Sequence, residues 1–319
     1  MRNSQKLRNA MSRVVRTGAA LGISAALMFA AACGTSSATD AASTSSKASA
    51  GSTSAEQVNV AVSVNQWKSL AEQIGGDKVS VSAILSNQNV EAHDFEPQPS
   101  DVAKISKAKI VVANGADYDP WATKAAANAN VTVVNAADAA GIKEGANPHI
   151  WFSAEVRKAT AKSYVEQLKK VDAADADYFD AQYKKWEQSE SKLEDAITEA
   201  KKTTKGLAYA ATESVAYYLA EDLGMKDATP TGYAQATTNE SEPSPGDISA
   251  FQKQLAAGSI DMLVLNEQET NSTTDMISKS AEKAGVPIVR LTESMPEDYT
   301  DLTAWVEALV SDFSDAAQK

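Results

Sequence analysis

The chain has 319 residues, 43% of them hydrophobic and 23% charged, with a formal net charge of −12. That is enough for one large or two medium domains with real cores, and it excludes a disordered, collagen-like or polytopic membrane protein. The acidic balance also excludes the basic footprint that nucleic-acid binding requires.

Residues 1–32 carry five basic side chains (Arg2, Lys6, Arg8, Arg13, Arg16) and no acid, and residues 17–32 are uncharged. A basic start, an apolar stretch and small residues before a cut site describe a secretory signal peptide. Sixteen residues are short for a membrane span. Ala31-Ala32-Cys33 resembles a bacterial lipobox, in which the cysteine is lipidated and opens the mature protein, although Ala30 stands where Leu is commoner. The plainer alternative is an ordinary signal with an incidental cysteine. Residues 33–56 are almost all Ser, Thr, Ala and Gly after Cys33, the composition of a flexible tether. The expectation is an extracytoplasmic protein held to the outer face of a bacterial membrane by Cys33. Cys33 is the only cysteine, so the body holds no internal disulfide.

Beyond the tether, strand-like runs alternate with helical segments. Residues 58–64 (VNVAVSV) are rich in Val, and 78–85 alternate, with Val79, Val81 and Ala83 on one face. Residues 110–113 and 131–134 are short apolar runs that suit buried parallel strands. Helices are expected at 67–74 and 100–108. The theme returns at 207–211, 262–265 and 287–291. From about 175 to 202 there is no Gly or Pro, and Phe179, Tyr183, Trp186, Leu193 and Ile197 form one helical stripe. The pattern predicts an α/β protein with mostly parallel sheets, in which an N-terminal lobe (57–172) and a C-terminal lobe (206–319) are joined by a long helix within 173–205. A surface helix on a single domain is the alternative reading of that segment.

Only two histidines occur, and both sit in proline-bearing loops between strand and helix: His93 in NQNVEAHDFEPQPSD and His149 in NPHIW. Either alone reads equally as a surface or hydrogen-bonded core residue. Open α/β sheets place ligand sites at such loops, and neutral imidazole is the commonest side-chain metal ligand, so a shared metal site is the sharper expectation.

The segments VEAHDFEPQPSD, NGADYDPWATK and NPHIWFS, followed in order by EPSPGDISAF and AGVPIVRLTESMPEDYTDLTAWV, resemble the cluster A-I solute-binding lipoproteins of bacterial manganese and zinc ABC importers. The resemblance extends over essentially the whole body. It implies two (β/α)4-type lobes joined by a single backbone helix, with a metal cleft between them. It also implies four ligands: His93 and His149 from the first lobe, and Glu213 and Glu293 from the second. Glu213 stands where relatives have His or Glu, and Glu293 where manganese-type relatives often have Asp. On its own, Glu213 is equally explained as a carboxylate favoured by a helix dipole. Glu267 and Glu269 are the nearest competitors of Glu213 and Glu293.

The function implied is capture of a divalent transition metal, Mn²⁺ before Zn²⁺, and its delivery to an importer permease and its ATPase by a monomer. Two imidazoles and two carboxylates suit a first-row divalent ion, whereas Cu(I) wants sulfur. Carboxylates that bind through both oxygens raise the coordination number above four and favour Mn²⁺. There is no third histidine for the His-rich loop that zinc-type relatives often carry. No catalytic cofactor is implied. A surface adhesin or structural lipoprotein on the same scaffold is the first alternative. A metal-dependent hydrolase is a remote one, because the chain has neither HExxH nor GxSxG.

Overall fold

The computed structural model describes residues 56–87, 90 and 95–319. The predicted signal, the tether with Cys33, and His93 lie outside the described residues.

In the N-terminal half the elements run β1 (Val58–Val64), α1 (Asn65–Gly75), β2 (Val79–Leu85), α2 (Pro99–Lys107), β3 (Ile110–Ala113), α3 (Pro120–Asn128), β4 (Thr132–Asn135), α4 (Ala136–Ala140) and α5 (Ala154–Val171). Then come α6 (Ala176–Thr204), β5 (Ala208–Ala211), α7 (Tyr217–Asp222), β6 (Lys226–Asp227), α8 (Thr231–Thr238) and α9 (Pro245–Ala256). The chain ends with β7 (Met262–Asn266), α10 (Ser272–Ala284), β8 (Ile288–Leu291) and α11 (Leu302–Ala316). The strands make two parallel sheets of the same design, ordered β2-β1-β3-β4 and β6-β5-β7-β8.

Sequence explains which strands are central. β3 (IVVA) and β7 (MLVLN) are buried at every residue, whereas β4, β8 and the two-residue β6 alternate or are exposed, as edges can be. Side chains alternate between the two faces of each sheet with period two. Val58, Val60, Val62 and Val64 of β1 and Met262 and Val264 of β7 enter one continuous core, which also takes in Trp186, Leu193, Trp305 and Phe313. Ala61 and Leu263 face two smaller outer clusters instead, one per lobe.

α6 is 29 residues long, on the order of 43 Å at 1.5 Å per residue. It packs on α1 and α5 of the first lobe and on α11 of the second. Phe179, Trp186, Leu193 and Ile197 are buried as the stripe predicts, while Tyr183 is half-buried and stacks on Trp186. In the seven-residue gap of the stripe sits Glu190, buried and paired with the equally buried Arg157 of α5. The Arg157 Nε and Nη2 donate to the Glu190 carboxylate at 3.1 and 2.6 Å, and Nη1 donates to the Trp151 carbonyl at 3.0 Å. Among the described residues, no helix is long and apolar enough to cross a membrane.

Candidate metal centre

In open parallel sheets the loops at the carboxyl ends of the strands, where strand order reverses, are the places for a ligand. Each sheet reverses between its two central strands, β1/β3 and β5/β7. The strand ends there carry Asn65 and Gln66 at the start of α1 directly after β1, Asn114–Tyr118 after β3, Glu213 after β5 and Asn266 at the end of β7, and Glu293 follows the neighbouring β8. His149 comes from the Pro148 loop before α5.

The structure brings three of the four expected ligands together: His149, Glu213 and Glu293 each offer a donor atom, all within 4.8 Å of one another. His149 Nε2 lies 3.5 Å from Glu293 Oε1 and 3.8 Å from Glu213 Oε1. Two donors bound to one ion at about 2.1 Å each lie roughly 3.0–3.5 Å apart at octahedral or tetrahedral angles; the Glu293 spacing meets the upper end of that range, and the 3.8 Å Glu213 spacing would have to shorten by a few tenths of an ångström on binding. Glu267 and Glu269, the competitors, stand outside the cluster; Glu267 is exposed and pairs with Arg290.

Each of the three donors is held by a neighbour. Asn147 Nδ2 donates to the Ser214 carbonyl and hydroxyl, both at 2.8 Å, which turns its Oδ1 toward His149. That oxygen accepts from the His149 backbone amide at 2.9 Å and lies 2.9 Å from His149 Nδ1. Nδ1 therefore carries a proton, and in the neutral form that binds metal the lone pair is on Nε2, the nitrogen facing the two carboxylates. Among the described residues this buried Nε2 has no hydrogen-bond partner. A buried acceptor without a donor is costly unless something else fills the position, and a cation does. The donor set thus fits a metal ion.

Glu213 precedes a short 3-10 turn and makes no capping hydrogen bond, so a helix-dipole role does not account for its direction. Its Oε2 accepts from Asn266 Nδ2 at 2.6 Å, which leaves Oε1 facing His149. Burial pushes its carboxyl up to about 7, with Glu293 and Glu269 adding repulsion and His149 and Asn266 opposing. Glu293, fully buried, accepts a 2.6 Å hydrogen bond from the Tyr118 hydroxyl on Oε1. Sequence reasoning did not single out Tyr118, Asn147 or Asn266. The first two lie inside segments that carried the family resemblance, which was the available signal.

Comparison with known proteins decides the family. The sequence profile of zinc-uptake complex component A (ZnuA), a periplasmic protein, matches residues 60–316. The chain belongs to the ZnuA family. Relatives include the high-affinity zinc uptake system protein ZnuA of Bacillus subtilis, 22% identical over 80% of this chain and 82% of that protein. A manganese ABC transporter substrate-binding lipoprotein, PsaA of Streptococcus anginosus, is 23% identical over 77% and 84%. An iron ABC transporter substrate-binding lipoprotein, MtsA of Streptococcus pyogenes, is 23% identical over 73% and 79%. The solved structure of the periplasmic zinc-binding protein TroA from Treponema pallidum shares the fold, with a TM-score of 0.70 at 15% identity over 82% of this chain and 99% of that one. ZnuA-family proteins are metal-binding solute-binding proteins of ABC importers, which work with a permease and an ATPase, and are not enzymes. The two-lobed α/β architecture predicted from periodicity is the family fold.

Proposed function

We propose that this protein captures a divalent transition metal outside the cytoplasm and hands it to an ABC importer, with His93, His149, Glu213 and Glu293 as ligands and Mn²⁺ preferred over Zn²⁺. The observation that carries this reading is the meeting of an imidazole from one lobe with two carboxylates from the other around the unpartnered Nε2 of His149. The names of its relatives span zinc, manganese and iron, so the choice of ion rests on the donors. Intrinsic affinity favours Zn²⁺ at any such site, and selectivity for Mn²⁺ must come from geometry and supply. Carboxylates that equal or outnumber the imidazoles, and can use two oxygens, supply the higher coordination number that Mn²⁺ accepts. Lipidation of Cys33 anchors the protein to the membrane in this reading.

The test is elemental analysis of protein purified without added metal, followed by competitive Mn²⁺/Zn²⁺ titration of the stripped form. One bound ion per chain is expected, and His149→Ala weakens binding by at least two orders of magnitude. Isotherms unchanged by His149→Ala contradict the assignment. For the anchor, Cys33→Ser is expected to abolish lipid labelling and membrane retention; retention of both refutes it.

A further inference from the structure

Tyr118 reaches the site from an unusual piece of backbone. Gly115, Ala116 and Asp117 all have positive φ, at 79°, 52° and 62°. Two consecutive non-glycine residues in the left-handed region cost energy, and such strain persists only where the surroundings enforce it. They do so here. The Asp119 carboxylate, fully buried, accepts from the Asn114 and Gly115 amides at 2.6 and 2.8 Å, and Asp117 Oδ2 accepts from the Gly145 amide at 3.2 Å. Gly115 itself has no room for a Cβ, which would run into Asn135 Oδ1.

The product of this stapled turn is the direction of one side chain. Tyr118 is 1% exposed, its ring packs on Trp151 at 5.3 Å and on His149 at 6.3 Å, and its hydroxyl donates to Glu293 Oε1. That oxygen is also the one that faces His149 Nε2. Glu213 differs: the oxygen held by Asn266 is not the oxygen that faces the histidine.

We propose that Tyr118 is a positioning residue of the metal site: a phenol from the first lobe holds the second lobe's Glu293 with Oε1 turned toward the ion. This rests on the reading of His149, Glu213 and Glu293 as ligands. The phenol proton uses one lone pair of Oε1 and leaves another for a cation, so it orients the carboxylate without displacing the ion. Because the bond crosses between lobes, Glu293 is aligned only while they are together, and parting them loosens a ligand as well as the cleft. Partners of this kind typically change metal affinity by about 10–100-fold.

The experiment compares full-length wild type, Tyr118→Phe and His149→Ala, each stripped of metal and titrated with Mn²⁺ and Co²⁺. Tyr118→Phe keeps the ring and removes only the hydroxyl. The result expected is an Mn²⁺ affinity about 10–100-fold weaker, with altered Co²⁺ d–d bands that report a changed ligand geometry. Wild-type affinity with wild-type Co²⁺ bands overturns the positioning role while leaving the site intact. Binding unaffected by His149→Ala removes the site and this proposal together. A weaker affinity with unchanged Co²⁺ bands also overturns it, since that marks general destabilisation rather than ligand alignment.

Discussion

At the scale of single residues, the site is a balance between burial cost and metal. Two carboxylates sit within a few ångströms of each other, Glu293 fully buried and Glu213 partly so, and burial pushes the carboxyl of Glu213 up to about 7. An acid with a raised folded-state pKa contributes most to stability below the ordinary carboxylate range, and loses that contribution as pH rises through about 7. Without metal, the protein should therefore lose stability between about pH 4.5 and 7 on account of Glu213, and Glu213→Gln should flatten that slope in a series of thermal melts. A slope unchanged by Glu213→Gln contradicts the account. Metal needs the carboxylate, so it competes with the proton, and the rise in melting temperature on adding Mn²⁺ should be larger at pH 8 than at pH 6. The sequence showed His149, Glu213 and Glu293 through their place after strands and the family resemblance. It did not show Asn147, Asn266 or Tyr118 at work, because a hydrogen bond between residues 53 to 175 positions apart leaves no periodic trace.

At the scale of elements, the long helix was legible because an apolar stripe at steps of three and four, unbroken by Gly or Pro, fits a helix and not a strand. Its buried charge was not. Glu190 falls where the stripe skips, and nothing local distinguishes it from a solvated glutamate; only Arg157, 33 residues earlier, makes its burial tolerable. β6 was missed for the opposite reason, since two exposed residues carry no pattern. The pair joins α5 to α6, and Arg157 also holds the Trp151 carbonyl, two residues beyond His149. Glu190→Ala leaves a buried guanidinium unpaired, a loss of about 3–5 kcal/mol, which lowers the melting temperature by roughly 10 °C for a body of this size. Replacing both partners with apolar residues, Arg157→Met with Glu190→Leu, should recover most of it. A Glu190→Ala protein that melts with wild type contradicts the role given to the pair.

At the scale of the whole molecule, the two lobes are more tightly joined than one connecting helix requires. A continuous core runs from β1 across α6 to α11. Polar contacts close the cleft side: Asn65 and Gln66 of α1 donate to the Met295 and Glu293 carbonyls, and Tyr218 donates to the Asn147 carbonyl. The long helix limits closure of the cleft, and the shared core adds a second restraint. Loading should produce a small tilt rather than a wide hinge, and scattering curves of stripped and Mn²⁺-loaded protein should be nearly superimposable. A large contraction contradicts this. Linkage gives a further check: an ion at about 1,000 times its Kd stabilises by roughly 4 kcal/mol, which chelation removes.

The central claim is that residues of both lobes hold one cation, and anomalous diffraction from crystals of the Mn²⁺-loaded protein tests it most directly. The account predicts one strong peak within coordination distance, about 2.0–2.3 Å, of His149 Nε2 and of carboxylate oxygens of Glu213 and Glu293. A peak elsewhere, or one touching residues of a single lobe, contradicts it.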